Sequence, residues 1–260
     1  MSESTPLLAT DKRRSWRDFW AAEVVNDWTD SVLLLGCLAT GLLDSAIFNT
    51  WSCFVSMQTG NTVYVGLGFT GQPYSQPTRW IKSLTSIVAF ILGSFLFSRL
   101  STHLSPLRRS TLFLTSLIQA LLTLLPCILL SAEVIPNNAG DLLPNNFIVL
   151  LPLSLLAVQA GGQCVLSRVL GYGEVPTVVL TSAYCDLAMD PKLFSRPSGS
   201  LKRNRRLGSM VLILLGAAAG GYLTRDGTVE KALWVVAIVK AIMAGVWVVW
   251  PGKKSVRMDD

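Results

Sequence analysis

Six apolar runs constrain this chain more than any other feature. They lie at about 31–51, 80–98, 111–131, 147–167, 207–224 and 232–250, and each approaches the ~20 residues that a helix needs to cross a bilayer core. Composition agrees. Charged residues make up 15% of the chain, where soluble domains carry about 25%, and mean hydropathy is +0.48. So little polar surface cannot coat a water-soluble globule of 260 residues. The expected class is an all-α polytopic membrane protein. No secretory-signal pattern is expected in residues 1–30, because the first apolar run starts only at Ser31 with no small-residue cleavage pattern after it.

Two further stretches, 52–70 and 175–189, are apolar but interrupted by Thr, Ser, Gly and Asn. Counted as spans they make eight helices; counted as re-entrant or half-helical segments they leave six. Lysine and arginine decide. With six spans, seventeen of the 22 basic residues fall on the side that carries both termini. The other side receives Arg79, Lys82, Arg225 and Lys231, and Lys240 lies inside the sixth run. Eight spans would move Arg99, Arg108 and Arg109 across and spoil the asymmetry. The positive-inside rule therefore favours six spans and cytoplasmic termini. A single transmembrane domain is expected over 31–250, with halves 31–131 and 147–250, between cytoplasmic segments 1–30 and 251–260.

The cytoplasmic segments have their own texture. Trp16, Phe19, Trp20, Val24 and Trp28 recur at helical spacing, as in an interfacial amphipathic helix or an aromatic belt. Residues 190–206 read as a loop whose Pro, Gly and Ser break any helix. Its run from Lys202 to Arg206 is expected to face phosphate headgroups rather than nucleic acid, despite the net charge of +6. The acidic dileucine pattern from Glu3 to Leu8 points to a vacuolar or endosomal membrane, with the plasma membrane as the alternative. The five cysteines have no metal-type spacing and read as reduced thiols. A single histidine, His103, argues against a histidine metal site or triad, and no cofactor is expected.

The two interrupted segments occupy corresponding places. A span carrying Gly41 and Asp44 runs into Phe54-Val-Ser-Met-Gln-Thr-Gly-Asn-Thr62, and a span carrying Gly161-Gly-Gln163 runs into Val178-Val-Leu-Thr-Ser-Ala-Tyr184. Two plain apolar helices follow in each half. Aligning Asp44 with Gln163 sets Thr59-Gly60-Asn61 opposite Thr181-Ser182-Ala183. Three spans per half is an odd number, so the halves are expected to be inverted repeats. The interrupted segments should enter from opposite faces and meet near the bilayer centre, as in many transporters.

These motifs resemble one family. The string Phe54-Val-Ser-Met-Gln-Thr-Gly-Asn-Thr-Val63, the preceding Gly41-x-x-Asp44, and Gly162-Gln163 with Thr181-Ser-x-x-x-Asp186 are similar to the YoaK-like membrane proteins, a domain-of-unknown-function family (number 1275), in a fungal-type form. The resemblance covers roughly 30–250. The second motif departs from the family, with Thr-Ser-Ala-Tyr where a Thr-Gly-Thr type of turn is more usual. The resemblance implies about six spans and no established activity.

Candidate site residues follow from cost. Asp44 lies well inside the first span, where a carboxylate costs roughly 2.5–3.5 kcal/mol unless paired, protonated or wetted. It reads as a proton, cation or solute site, or as half of a structural pair with Lys240, whose stem could also snorkel to an interface. The Gln58-Thr59-Gly60-Asn61-Thr62 stretch cannot face lipid as a bare loop. It either lines a polar cavity, with Gly60 supplying a turn at positive φ, or closes a helix pair. Gln163, Thr177, Thr181, Ser182, Tyr184 and Asp186 form the weaker counterpart. Arg168 and Glu174 are expected to pair at the cytoplasmic mouth. Four small-xxx-small pairs (Ala89/Gly93, Ala157/Gly161, Gly216/Gly220, Ala217/Gly221) indicate close helix packing and allow a homo-oligomer.

The leading function expected is a secondary transporter for a small polar or ionic solute. The alternative is a non-transporting scaffold or lipid-organising protein. An enzyme is disfavoured, since neither HExxH nor GxSxG occurs.

Overall fold

A computed structural model describes residues 15–253. The dileucine pattern, the basic residues at 12–14 and the C-terminal tail from 254 lie outside the described residues. Among those described, every named element is helical, and the only β pairing is two isolated bridges, Glu23–Arg108 and Val24–Gly252.

Six helices are long and apolar enough to cross a membrane: α2 (Asp30–Trp51), α4 (Arg79–His103), α5 (Arg109–Ser131), α6 (Leu150–Val169), α8 (Leu201–Leu223) and α9 (Glu230–Val249). At 1.5 Å per residue they run to about 30 Å or more, the thickness of a hydrocarbon core. The chain is a membrane protein with six spans. The short elements are α1 (Trp16–Ala21), α3 (Gln58–Gly68) and α7 (Thr181–Ala188). α3 and α7 would reach only about 16 and 12 Å, so neither crosses, and the eight-span alternative falls.

Three expectations need correction. The aromatic run does not form one helix to Trp28: α1 ends at Ala21, Glu23 and Val24 pair as bridges, and Trp28 takes a left-handed φ of 65°. The basic run Lys202 to Arg206 is helical, not loop. Ser200 caps α8 by accepting from the Arg203 N–H at 3.3 Å, so Pro197 and Gly199 sit before the helix rather than inside it. The helices of the interrupted segments do not meet: α3 packs on α4 and α7 on α8, with no contact between α3 and α7.

The spans pair in a regular scheme. α2 packs chiefly on α8, α4 on α6, and α5 on α9; α5 also touches α6, and α9 touches α2. Exchanging α2 with α6, α4 with α8, and α5 with α9 maps this scheme onto itself. The correspondence holds at single residues. A methyl group on Gly41 would strike the Ile213 carbonyl and come within 2.9 Å of the Ala217 N; one on Gly161 would come within 2.5 Å of the Phe90 carbonyl and 2.7 Å of the Ser94 N. Likewise Gly216 abuts the Leu38 carbonyl and Gly93 the Val158 carbonyl. A shift of 120 residues carries Gly41 to Gly161 and Leu38 to Val158, and one of 123 carries Phe90 to Ile213 and Gly93 to Gly216. This register sets Cys164, rather than Gln163, opposite Asp44.

Two apolar clusters occupy the ends of the bundle. One gathers Ile47, Trp51, Leu153, Leu156, Leu233 and Val236; the other gathers Leu33, Cys37, Leu112, Leu166, Met243 and Trp247. Outside the spans, Asp226 in the α8–α9 turn is held below the usual carboxylate range, first by the Lys231 ammonium at 2.5 Å and then by Thr228. Because the fold favours its ionised form, the support Asp226 gives this turn is present above the ordinary carboxylate range and is lost as the pH falls from there through the lowered one.

The glycine crossings can be tested with single methyl groups. Gly216→Ala should lower the thermal midpoint of the protein in detergent by an amount equivalent to about 1–3 kcal/mol of overpacking. Gly221→Ala, whose methyl would meet nothing within 4 Å, should leave it unchanged. Equal midpoints for the two variants would remove the crossing from the account.

Candidate functional site

Asp44 is buried about two turns before the end of α2 and anchors the loop that follows the helix. Its Oδ1 accepts from the backbone N–H groups of Val55 at 2.9 Å and Ser56 at 3.0 Å, and its Oδ2 accepts from the Ser56 hydroxyl. Ser52, at a φ of 56°, ends α2 and turns the chain back toward this carboxylate. Three donors from one short loop offset the cost of burying the group. Asp44 faces the interior, as its sequence position led us to expect, but it makes no pair with Lys240.

The motif residues after it divide by helical face. Gln58 to Thr62 form the first turns of α3 instead of an open turn. Gln58 and the fully buried Asn61 point inward. Asn61 bonds the Phe54 backbone in both directions, at 3.2 and 2.8 Å, and its amide donates to the Gln58 Oε1 at 2.8 Å. The Ser86 hydroxyl of α4 donates to the Phe54 carbonyl at 2.8 Å and receives from Gln58 at 3.3 Å. Thr59 and Thr62 are exposed. Gly60 does not use positive φ; among described glycines only Gly71, Gly171 and Gly227 do. Its missing side chain instead admits the Phe54 ring, which would lie 2.9 Å from a Cβ.

The second-half residues are placed differently. Thr181, Ser182, Tyr184 and Asp186 are exposed on α7, and Asp186 lies 3.7 Å from Arg206 at the periphery. Thr177 is buried at a φ of 57°. The expected Arg168–Glu174 pair does not form. Glu174 instead meets Arg205 at 2.9 Å, and Arg205 also holds Asp30 at 2.8 Å, tying the start of α2 to the loop after α6. Arg203, expected at headgroups, is buried and donates to the carbonyls of Lys192 at 2.6 Å and Ser195 at 2.5 Å. At the other end Lys82 does similar work, donating to the carbonyls of Trp51 at 2.7 Å and Gly140 at 2.8 Å.

The polar cluster that joins the halves lies elsewhere, between the two apolar clusters. Lys240, midway along α9, is 2% exposed. Its ammonium donates to the Gln119 Oε1 of α5 at 3.1 Å and to the Gln163 Oε1 of α6. Gln163 in turn donates to the Gly36 carbonyl at 3.1 Å and the Thr40 hydroxyl at 2.8 Å on α2. Gly36 makes this possible, since a Cβ there would sit 3.3 Å from the Gln163 side chain. About two turns along α9 from Lys240, Trp247 donates to Ser116 at 2.9 Å. Among the described residues no carboxylate lies within 4.0 Å of the Lys240 nitrogen. Among the described residues, buried Gln119 Nε2 and Gln159 Oε1 have no hydrogen-bond partner. Sequence reasoning found Lys240 and Gln163 but missed Gln119, Thr40, Ser56 and Ser86. Gln119 was visible as a lone amide in the middle of an apolar run.

A family model described as "Protein of unknown function (DUF1275)" matches residues 32–246. The chain belongs to this family. No curated protein and no solved structure matches it. The family match spans Asp44, the α3 motif and the Lys240 cluster alike. Four of the five cysteines of this DUF1275 member are buried, Cys185 is exposed, and all five are free thiols. No group of three or more His, Cys, Asp and Glu suited to a metal occurs among the described residues.

The geometry separates the two charged groups. Asp44→Ala should orphan two loop N–H groups and destabilise the protein by about 1–3 kcal/mol for each, read as a lower thermal midpoint. Asp44→Asn keeps one acceptor and should cost less. Because Asp44 and Lys240 share no hydrogen-bond partner, Asp44→Asn with Lys240→Met should be additive within about 0.5 kcal/mol. Rescue of the first change by the second would overturn this separation.

Proposed function

We propose that this membrane protein is a secondary transporter for a small polar or ionic solute, with Lys240 at the centre of its site. One observation carries the reading. A lysine is buried at mid-depth with amide oxygens but no carboxylate beside it, and its partners come from both halves of the chain. An isolated buried ammonium costs several kcal/mol, and a membrane protein retains such a group at a cost that packing alone does not offset. A proton leaving Lys240, or an anionic group arriving beside it, would balance that charge and couple it to movement of the helices. Gln119 and Gln163 act as positioning residues, and the Gly36–Thr40 face of α2 senses the position of Gln163.

The exchange of helix pairs supports two inverted repeats, the frame in which transporters rock one half against the other about a central site. Arg205 and Lys82 bind loop and helix ends at opposite ends of the bundle and suit closure of one side and then the other. The basic residues support cytoplasmic termini. In this reading the chain performs no catalysis, and its partners are the lipid bilayer and a small solute, not nucleic acid. The alternative, a non-transporting scaffold, accounts for Asp44 as a loop anchor but leaves Lys240 unexplained.

Uptake by purified protein in liposomes, over a panel of small polar and ionic solutes with and without a pH gradient, tests the proposal. Lys240→Met should keep its level and thermal midpoint, because an apolar side chain of similar length replaces a costly charge, yet lose at least about 90% of uptake, the tenfold loss that 1.4 kcal/mol represents. No solute moved by the unaltered protein would favour the scaffold; uptake unchanged in Lys240→Met would remove Lys240 from the site. A protease-sensitive tag inserted at Ser200 should be cut only from the cytoplasmic side, and cutting from the other side would invert the proposed orientation.

A further inference from the structure

Beside the crossing of Gly93 and Gly161, a groove of about 540 Å³ lies between α4 and α6. Arg99, Arg168, Ser94 and Ser98 supply its polar wall, and Phe90 and Phe95 its apolar one. Arg168 is in the last turn of α6, and Arg99 is close to the end of α4. Both lie toward the end of the bundle where Arg205 ties α2 to the loop after α6.

The two guanidiniums differ from their neighbours in how little of each is engaged. Arg203, Arg205 and Arg206 are engaged by loop carbonyls or carboxylates. Arg168 donates through Nη1 to the Cys164 carbonyl and sulfur, both at 2.8 Å, so its Nε and Nη2 remain without a partner among the described residues. Arg99 lies 5.2 Å from the Phe95 ring centre and makes no hydrogen bond there. Neither has a carboxylate within 4.0 Å among the described residues.

Packing does not require these groups. In the corresponding crossing of α2 and α8, the same shifts put Tyr222 at the place of Arg99, Phe48 at that of Arg168, Ala217 at that of Ser94 and Gly221 at that of Ser98. At that crossing aromatic rings stand at both arginine places, and neither serine has a hydroxyl counterpart. The polar set in the α4–α6 groove is therefore an addition to the shared architecture. The groove also opens sideways: Phe95 is 54% exposed, and Leu92 and Leu96 beside it are about as exposed, at 50% and 49%. A water-borne anion would have no use for that apolar flank, whereas a lipid has an acyl chain to lay along it.

We propose that this groove is a binding site for an anionic glycerophospholipid. Arg99 and Arg168 hold the headgroup phosphate from two helices, Ser94 and Ser98 donate hydroxyl hydrogen bonds, and an acyl chain runs over Phe90 and Phe95. Guanidinium suits phosphate because its planar fork donates two bonds at once, and basic pockets between transmembrane helices are a recurrent place for anionic headgroups. The site stands apart from the Lys240 cluster and does not depend on transport.

Native mass spectrometry of the purified full chain, with phosphatidylglycerol or phosphatidylcholine added to the detergent, tests this directly. The unaltered protein should retain one phosphatidylglycerol in preference to phosphatidylcholine. Changing Arg99→Ala and Arg168→Ala together should weaken that retention roughly 30-fold, at the usual contribution of a basic residue near an anionic surface. Lys192→Ala with Arg196→Ala, which removes the same charge from the exposed loop, should not. The pair Arg99→Lys and Arg168→Lys keeps the charge, reports on the fork should the alanine pair fail to fold, and should bind with intermediate strength. Equal retention of phosphatidylcholine, equal loss in the loop control, or displacement of the lipid by inorganic phosphate would each overturn the proposal.

Discussion

Close backbone approach at glycine holds this bundle together. Between helices in lipid the hydrophobic effect offers little, because lipid tails are as apolar as leucine, so association relies on dense packing and on polar groups satisfied across the interface. The α2–α8 and α4–α6 pairs meet this condition in the same way. Gly41 and Gly216 on one side, and Gly161 and Gly93 on the other, bring one helix against the carbonyls of the next. With these crossings fixed, α5 and α9 close against each other across the remaining side, and the position of Lys240 between Gln119 and Gln163 follows.

The repeated architecture leaves each half to solve a local problem with its own residues. A chain that stops being helical within the membrane exposes backbone donors, and these must be met by protein. In the first half Asp44 meets them, accepting from Val55 and Ser56. In the second half the shift of 120 puts Cys164 at the place of Asp44, Val175 at that of Val55 and Pro176 at that of Ser56. Proline has no N–H to satisfy, and the Val175 N–H bonds the Tyr172 carbonyl at 3.1 Å. A carboxylate is then unnecessary. The Asp44 carboxylate of α2 is thus matched to a loop that presents donors, and the lack of a counterpart at Cys164 of α6 to a loop that does not. This is why Asp44, the most conspicuous residue in the sequence, serves the fold, while the quieter Lys240 carries the proposed site.

Local properties of the sequence were enough to define the spans. Hydropathy over about twenty residues is a property of each segment alone and marks the six long runs and the overall class, while setting α3 and α7 aside also needed the distribution of Lys and Arg along the chain. That Gln58 and Asn61, three residues apart, turn inward together follows from helical periodicity, but only once the segment is known to be helical. The capping of α8 by Ser200 was masked by Pro197 and Gly199, which signal a break without saying on which side the helix lies.

What the tertiary structure decided is which distant residues meet. Lys240 is 121 positions from Gln119 and 77 from Gln163, and nothing in the spacing of a transmembrane helix states which neighbour will face it. The same holds for Glu174, claimed by Arg205 instead of nearby Arg168, and for the register of the repeat, set by glycines at helix crossings rather than by the polar motifs. Sequence alone determined how many helices this protein sends through the membrane, because insertion depends on the composition of each run. Their pairing depends on the fit of one helix surface to another, and that fit exists only when both are present.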